Sequence, residues 1–111
     1  MKALIASLLA VLSTGLAMAD RNELRSIQMT GDDFSAACTN PSESWVSFCD
    51  GYIQAVIDGL RETDNVCIPK WTTRTTIVTI AEREISASKS LQSMNAQGAV
   101  RSVLSRFYRC R

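Results

Sequence analysis

The sequence predicts an all-α fold, a small bundle of four to five helices around a central helix, stapled by two disulfides. The strongest observation is a run from Ser42 to Glu62, whose apolar residues keep the spacing of one helical face through about four turns. Helix-capping residues at Thr30 and Asn40 are the second observation. The third is an even number of cysteines, four, in a chain of 111 residues.

The predicted central helix begins with a strong signal. Asn40 is the expected N-cap, Pro41 the first helical residue, and Glu43 the acid of a capping box. The predicted apolar face consists of Trp45, Phe48, Cys49, Tyr52, Ile53, Val56, Ile57 and Leu60. Beside it runs a ridge of small residues: Gly51, Ala55 and Gly59. We expect a neighbouring backbone, within the fold or from a second copy of the chain, to approach this ridge closely.

Three further helices are predicted around the central one. A short helix with Thr30 as N-cap ends at Cys38. After an extended connector over Cys67 to Trp71, Thr72 is expected to cap a helix over Thr73 to Ser86. That segment is rich in β-branched residues, which favour a strand, but helical spacing is kept by Ile77, Ile80, Ala81 and Ile85. The last helix is expected to direct inward Ala99, Val100, Val103, Leu104, Phe107 and Tyr108.

The first nineteen residues have the order of a secretory signal peptide. A basic start precedes an apolar run over residues 3–12, which is too short for a membrane span, and Ala17-Met18-Ala19 is a cleavage signal. We therefore predict a signal peptide over residues 1–19 and one domain over residues 20–111. The mature chain would have 92 residues and would be periplasmic, where disulfides form.

The four cysteines allow three pairings. Cys49 lies early in the central helix, whereas Cys67 lies beyond its far end, roughly 20 Å away along the axis. Cys38 precedes the start of that helix and is also far from Cys67. Reach therefore favours the disulfides Cys38–Cys49 and Cys67–Cys110.

Several kinds of chemistry are disfavoured by composition. The chain has no histidine, so it lacks a Ser-His or Cys-His nucleophile, and its cysteine spacings give no close pair of metal ligands. Asp50 and Asp58 share a polar arc of the central helix, but about 12 Å of helical rise separates them, so a solvated stripe explains them better than a catalytic pair. We predict a protein that is not an enzyme and binds no cofactor or metal.

Charge is divided unevenly along the mature chain. Residues 20–67 hold nine acidic and three basic residues, and residues 68–111 hold two acidic and eight basic residues. We expect the two halves to neutralise each other in the fold, because the arginines of the last helix lack interleaved exposed aromatics that would indicate nucleic-acid binding.

We also expect Trp71 to pack against the core or the connector.

The ordered set of motifs resembles the Tai/Rap family of small exported immunity proteins associated with bacterial type VI secretion. The matching features are Cys38, Phe48 to Ile53, Asp58-Gly59, Cys67 to Pro69, Thr72 and Phe107 to Cys110. They cover nearly all of the mature chain. Departures lie at Lys70-Trp71, where the family often has Gly-Val, at Arg109, where it often has proline, and in the loop before the last helix, which lacks prolines.

The resemblance implies a non-catalytic, helical periplasmic protein that forms a dimer and neutralises a secreted peptidoglycan amidase by covering its active site. It also implies that the loop between the last two helices inserts into the enzyme. By position, this partner-binding loop consists of Ser86, Ala87, Ser88, Lys89, Ser90, Leu91, Gln92, Ser93 and Met94. Two alternatives remain: a periplasmic acid-stress chaperone, which would expose apolar surface as carboxylates are neutralised, and a helical interaction domain of unknown role.

Overall fold

A computed structural model describes residues 28–63 and 65–111, so the predicted signal peptide lies outside the described residues. Within these ranges the chain forms five helices: α1 (Gly31–Cys38), α2 (Glu43–Arg61), α3 (Arg74–Ser86), α4 (Lys89–Ser93) and α5 (Ala96–Phe107). The only extended pairing in the described ranges consists of two isolated bridges, Thr30 with Asn95 and Val66 with Arg109. The predicted all-α bundle is confirmed, and the β-branched segment is the helix α3.

The core lies where α1, α2, α3 and α5 meet. Every pair of these four helices is in contact, and the short α4 contacts α1, α3 and α5 but not α2. Helix α2 buries Cys49, Ile53, Val56, Ile57 and Leu60. The other large buried side chains come from α1, α3 and α5: Phe34, Ile77, Val78, Ile85, Val100, Val103 and Leu104. Burying side chains of this size stabilises the fold by about 1.5–3 kcal/mol each.

The helix starts differ from prediction by one or two residues. Thr30 caps α1 as expected, in a capping box with Asp33. Helix α2 begins after Ser42, not Asn40, because the Asn40 side chain accepts a hydrogen bond from the Ser42 N–H and closes a turn ahead of the helix. Helix α3 is capped by Thr73 instead of Thr72, through a bond from the Thr76 N–H.

Both disulfides of the favoured pairing are present. Cys38–Cys49 joins the end of α1 to the second turn of α2, with its Cα atoms 5.8 Å apart. Cys67–Cys110 joins the connector after α2 to the residues after α5, with its Cα atoms 5.0 Å apart. The second crosslink is reinforced by backbone hydrogen bonds from the Cys67 N–H to the Tyr108 carbonyl and from the Cys110 N–H to the Asn65 carbonyl. The two ends of the bundle are therefore held independently.

The small-residue ridge of α2 is not covered by any residue that the structure describes. Gly51, Ala55 and Gly59 are exposed, and a Cβ atom built on either glycine would have nothing within 4 Å. Trp45 and Phe48 were expected in the core but are 40% and 42% exposed. Of the two partners expected for this ridge, a backbone of the same chain is absent among the described residues, and a second copy of the chain stays a prediction.

Two other aromatic side chains lie outside the core against expectation. Phe107, in the last turn of α5, is 47% exposed, and Trp71, in the connector, is 85% exposed. Phe107 lies where the apolar pattern of α5 ends, and Trp71 lies outside any helix, so the described elements leave much of each side chain uncovered. The other residues predicted to face inward from α5 are buried or half-buried.

Candidate functional site

The segment over residues 86–94, predicted as a partner-binding loop, joins α3 to α5. It is more ordered than a loop of small polar residues suggests, since five of its nine residues form α4. Its side chains divide into two groups. Ser88, Leu91 and Gln92 are half-buried, and the others are exposed. The half-buried group fixes the segment to the bundle.

Hydrogen bonds hold the turn between α3 and α4. The Ser88 side chain accepts a bond from the Leu91 N–H and so caps α4. The Gln92 amide nitrogen donates to the carbonyls of Ile85 and Ser86, at 3.1 and 3.0 Å. Those carbonyls belong to the last turn of α3, where the Ile85 carbonyl also accepts a bond from the Ser88 N–H at 3.1 Å. One glutamine therefore ties the end of α3 to α4.

The far end of the segment is held by the first residue of α1 and by the residues just before it. The Gly31 N–H donates to the Met94 carbonyl at 2.9 Å, and the Ala96 N–H donates to the Met29 carbonyl at 2.8 Å. Leu91 packs its side chain against the core. The segment is thus fixed at both ends and at its centre.

Gly31 lets α1 approach this segment closely. It is buried, and a Cβ atom added there would overlap the Leu91 carbonyl oxygen and lie 3.2 Å from the Ala99 Cβ. Backbone atoms cannot move aside as a flexible side chain can. A glycine is therefore required at this crossing.

The exposed side chains of the segment are mostly small, and only one of them is charged. Ala87, Lys89, Ser90 and Ser93 are exposed, and Met94 is 37% exposed. Lys89 carries the only charge of the segment. Such a surface has no nucleophile–base pair, but small side chains on a fixed backbone can enter a narrow cleft with little loss of side-chain entropy.

A second notable surface is the exposed aromatic face of α2. Trp45 and Phe48 meet edge to face, with ring centroids 5.5 Å apart, and Phe48 lies 5.9 Å from Tyr52. Tyr52 in turn contacts the buried Phe34 at 5.5 Å. Partial burial raises the pKa of Tyr52, so its phenol stays neutral at physiological pH. The helical spacing identifies these aromatics but not their exposure.

The described residues offer no cluster for a metal ion and no helix for a membrane. They hold no group of three potential metal-ligating side chains among His, Cys, Asp and Glu. No helix in the described ranges has the length and apolar character to cross a membrane. The only ion pair there joins Arg106 to Glu84 at 3.0 Å, on the surface. Asp58 accepts a hydrogen bond from Gln54, four residues before it on the same helix.

Comparison with known proteins identifies the family. The family model of Rap1a immunity proteins matches residues 30–110, which is nearly all of the described chain. No match is found among curated proteins or among solved structures. Immunity proteins act by binding an effector protein, so the partner implied for this chain is a protein. With the match spanning all five helices and both disulfides, the chain belongs to the family of Rap1a immunity proteins.

Proposed function

We propose that this protein is exported to the periplasm, after cleavage of residues 1–19, and neutralises a type VI secreted peptidoglycan amidase. Residues 86–94 enter the cleft of the enzyme and block access of the peptide substrate to the catalytic groups. The immunity family supports a protein partner, and the disulfides are consistent with an oxidising compartment. The protein itself needs no catalytic residue for this role.

The observation that carries the proposal is the construction of segment 86–94. Its backbone is fixed by the Gln92 and Gly31 hydrogen bonds, and its exposed side chains are small. A fixed backbone lowers the ordering cost of binding, because the free and bound conformations are alike. Inhibition by occlusion needs this shape and does not need specific chemistry at the tip.

The test is inhibition of a purified amidase encoded beside this protein. We expect the wild-type protein to stop peptidoglycan hydrolysis at equimolar concentration. Ser90→Trp should abolish inhibition, because an indole at the exposed tip is too large for a cleft that admits serine. Ser102→Trp places the same bulk at an exposed position of α5 and should inhibit as the wild type does. Full inhibition by the Ser90 variant would overturn the assignment of the segment.

The exposed face of α2 supports a homodimer as part of the same proposal. Its first half presents Trp45 and Phe48, and its second half presents Ala55 and Gly59, all on one side of the helix. A two-fold axis through the middle of α2 would bring the aromatic half of each helix against the small-residue half of its partner. Symmetric dimers use such self-complementary surfaces.

Sedimentation can test the dimer without the effector. Gly59→Phe should give a folded monomer with an unchanged far-ultraviolet circular dichroism spectrum, since a Cβ atom at Gly59 meets no described atom of its own chain within 4 Å. Gln54→Phe, on the polar side of α2, is the matched control and should leave the dimer intact. A wild-type protein that is monomeric at about 100 μM would contradict the proposal, since weak dimers are studied at concentrations on this order.

A further inference from the structure

Trp71 is displayed at the tip of a fixed turn. The Thr72 N–H donates to the Pro69 carbonyl at 3.0 Å and closes a turn with Lys70 and Trp71 at its centre. Before the turn, Cys67 is bonded to Cys110, and after it Thr73 caps α3. A tryptophan 85% exposed on such a support contributes nothing to the core.

The surface around this tryptophan is basic. Two segments compose it: residues 65–76 and residues 107–111, which are joined by the Cys67–Cys110 disulfide and by a bridge between Val66 and Arg109. Together they hold no acidic residue. Their cations are all exposed and make no ion pair with any described residue: Lys70, Arg74, Arg109 and Arg111. We call this set, with Trp71 at its tip, the Trp71 surface.

The placement of two of these cations does not favour the fold. Arg74 is the first residue of α3, and Lys70 lies in the turn before it. The first turn of α3 holds no acidic residue. Cations near the positive end of a helix dipole are unfavourable, whereas acids there are stabilising. Neither packing nor ion pairing among the described residues explains Lys70, Trp71 and Arg74, so an external contact is the better explanation.

We infer that the Trp71 surface is a second docking site, separate from residues 86–94, for an acidic protein surface with an apolar recess. The inference rests on the proposed function, because the occupant is the same effector protein. The basic residues fit an acidic partner by charge, and the indole supplies the kind of aromatic anchor that dominates interface energies. Segment 86–94 would block the active site while the Trp71 surface selects which effector is bound.

The experiment uses the Trp45→Phe variant, in which Trp71 is the sole tryptophan, and the amidase that the wild-type protein inhibits. The amidase is labelled with 4-fluorotryptophan, which is essentially non-fluorescent, so that the emission comes from Trp71 alone. On binding, we expect this emission to shift to the blue and to become protected from acrylamide. Trp71→Ala should weaken binding roughly 30-fold, the size of an aromatic hot spot. Its melting temperature should not change, since the side chain is exposed.

Charge is tested separately. The double variant Lys70→Glu and Arg74→Glu should slow association about 10-fold at low salt, an effect that disappears at high salt. The matched control, Lys70→Arg with Arg74→Lys, keeps the charge and should associate like the wild type. Normal binding by Trp71→Ala and by the charge-reversed variant would overturn the docking site and leave the proposed function intact.

Two other outcomes are distinguishable. If the wild-type protein binds no amidase while vesicles containing phosphatidylglycerol shift the Trp71 emission, the surface recognises a membrane, and both proposals fall. If an amidase is bound and inhibited but Trp71 remains fully accessible to acrylamide, only the docking site falls. In the Trp45→Phe protein, a Ser90→Phe variant adds bulk without a second indole; loss of inhibition with Trp71 still protected would establish that the two sites act independently.

Discussion

Replacing Gly31 by alanine should destabilise the protein more than any other glycine-to-alanine change in the described chain. The added Cβ would overlap the Leu91 carbonyl oxygen and crowd the Leu91 carbonyl carbon at 3.0 Å. Overpacking of this kind costs about 1–3 kcal/mol, and displacement of α4 would weaken the bond from the Gly31 N–H to the Met94 carbonyl, a further 1 kcal/mol or so. We expect a net loss of about 2–3 kcal/mol, after a gain in helix propensity of less than about 1 kcal/mol.

Thermal unfolding followed by circular dichroism measures this loss. For a domain of this size, about 2 kcal/mol corresponds to a fall of roughly 10 °C in melting temperature. Gly51→Ala is the matched control, because its Cβ would meet nothing within 4 Å and the residue lies in an exposed helix interior. That variant should gain about 0.5–1 kcal/mol. Equal melting temperatures for the two variants would refute the close packing of α1 on segment 86–94.

Three further predictions concern the disulfides and pH. Cys67–Cys110 closes a loop with a sequence separation of 43, and its removal should cost about 4 kcal/mol in the chain-entropy model. Cys38–Cys49 has a separation of 11, and its removal should cost about 3 kcal/mol. A larger loss of unfolding free energy for the shorter loop, measured by urea unfolding, would contradict this order. Burial raises the pKa of Tyr52 above its unfolded value near 10, so the stability conferred by the neutral phenol is present below pH 10 and is lost as pH rises. The melting temperature should therefore decline at high pH, and Tyr52→Phe should lessen this decline. An identical decline in both proteins would argue against a contribution from Tyr52. In acid, binding of a hydrophobic dye should stay flat from pH 7 to about pH 3, because the described carboxylates make only surface contacts: one ion pair, one capping box and the bond from Gln54 to Asp58. A sharp rise in dye binding would instead support the chaperone hypothesis.

Sequence reasoning succeeded where local chemistry decides the structure. The Thr30 capping signal, the helix of α3 and the disulfide pairing follow from side-chain hydrogen bonds, periodicity and chain reach. It failed where two neighbouring signals compete, as at Asn40 and Ser42. There the asparagine side chain accepts a bond from the serine N–H and closes a turn. Asparagine is favoured both in such turns and at helix N-caps, so the residue type alone does not separate the two. Errors of one or two residues at a helix start do not move the core.

Exposure of large apolar residues was the greater failure, and its cause lies in the tertiary structure. Phe48 and Ile53 both keep the spacing of the apolar face of α2, yet Phe48 is 42% exposed and Ile53 is fully buried. Periodicity reports the direction of a side chain around its helix, but burial depends on whether another helix covers that direction. Here α1, α3 and α5 cover one side only. Trp71 was misplaced because burial again depends on tertiary contacts, and no described helix covers its turn.

Dependence on tertiary contacts also explains why the position of segment 86–94 could be predicted from the sequence but its ordered structure could not. Its serines predict exposure, whereas its order depends on contacts with distant residues, above all Gly31, which is sixty residues away from Leu91. The residues before α1 therefore position the segment that we propose to enter the effector. A variant that loosens this crossing should lose affinity through faster dissociation, even though Gly31 is buried and touches no partner. Rigidity of the segment, more than the identity of its exposed side chains, is what the fold supplies to binding.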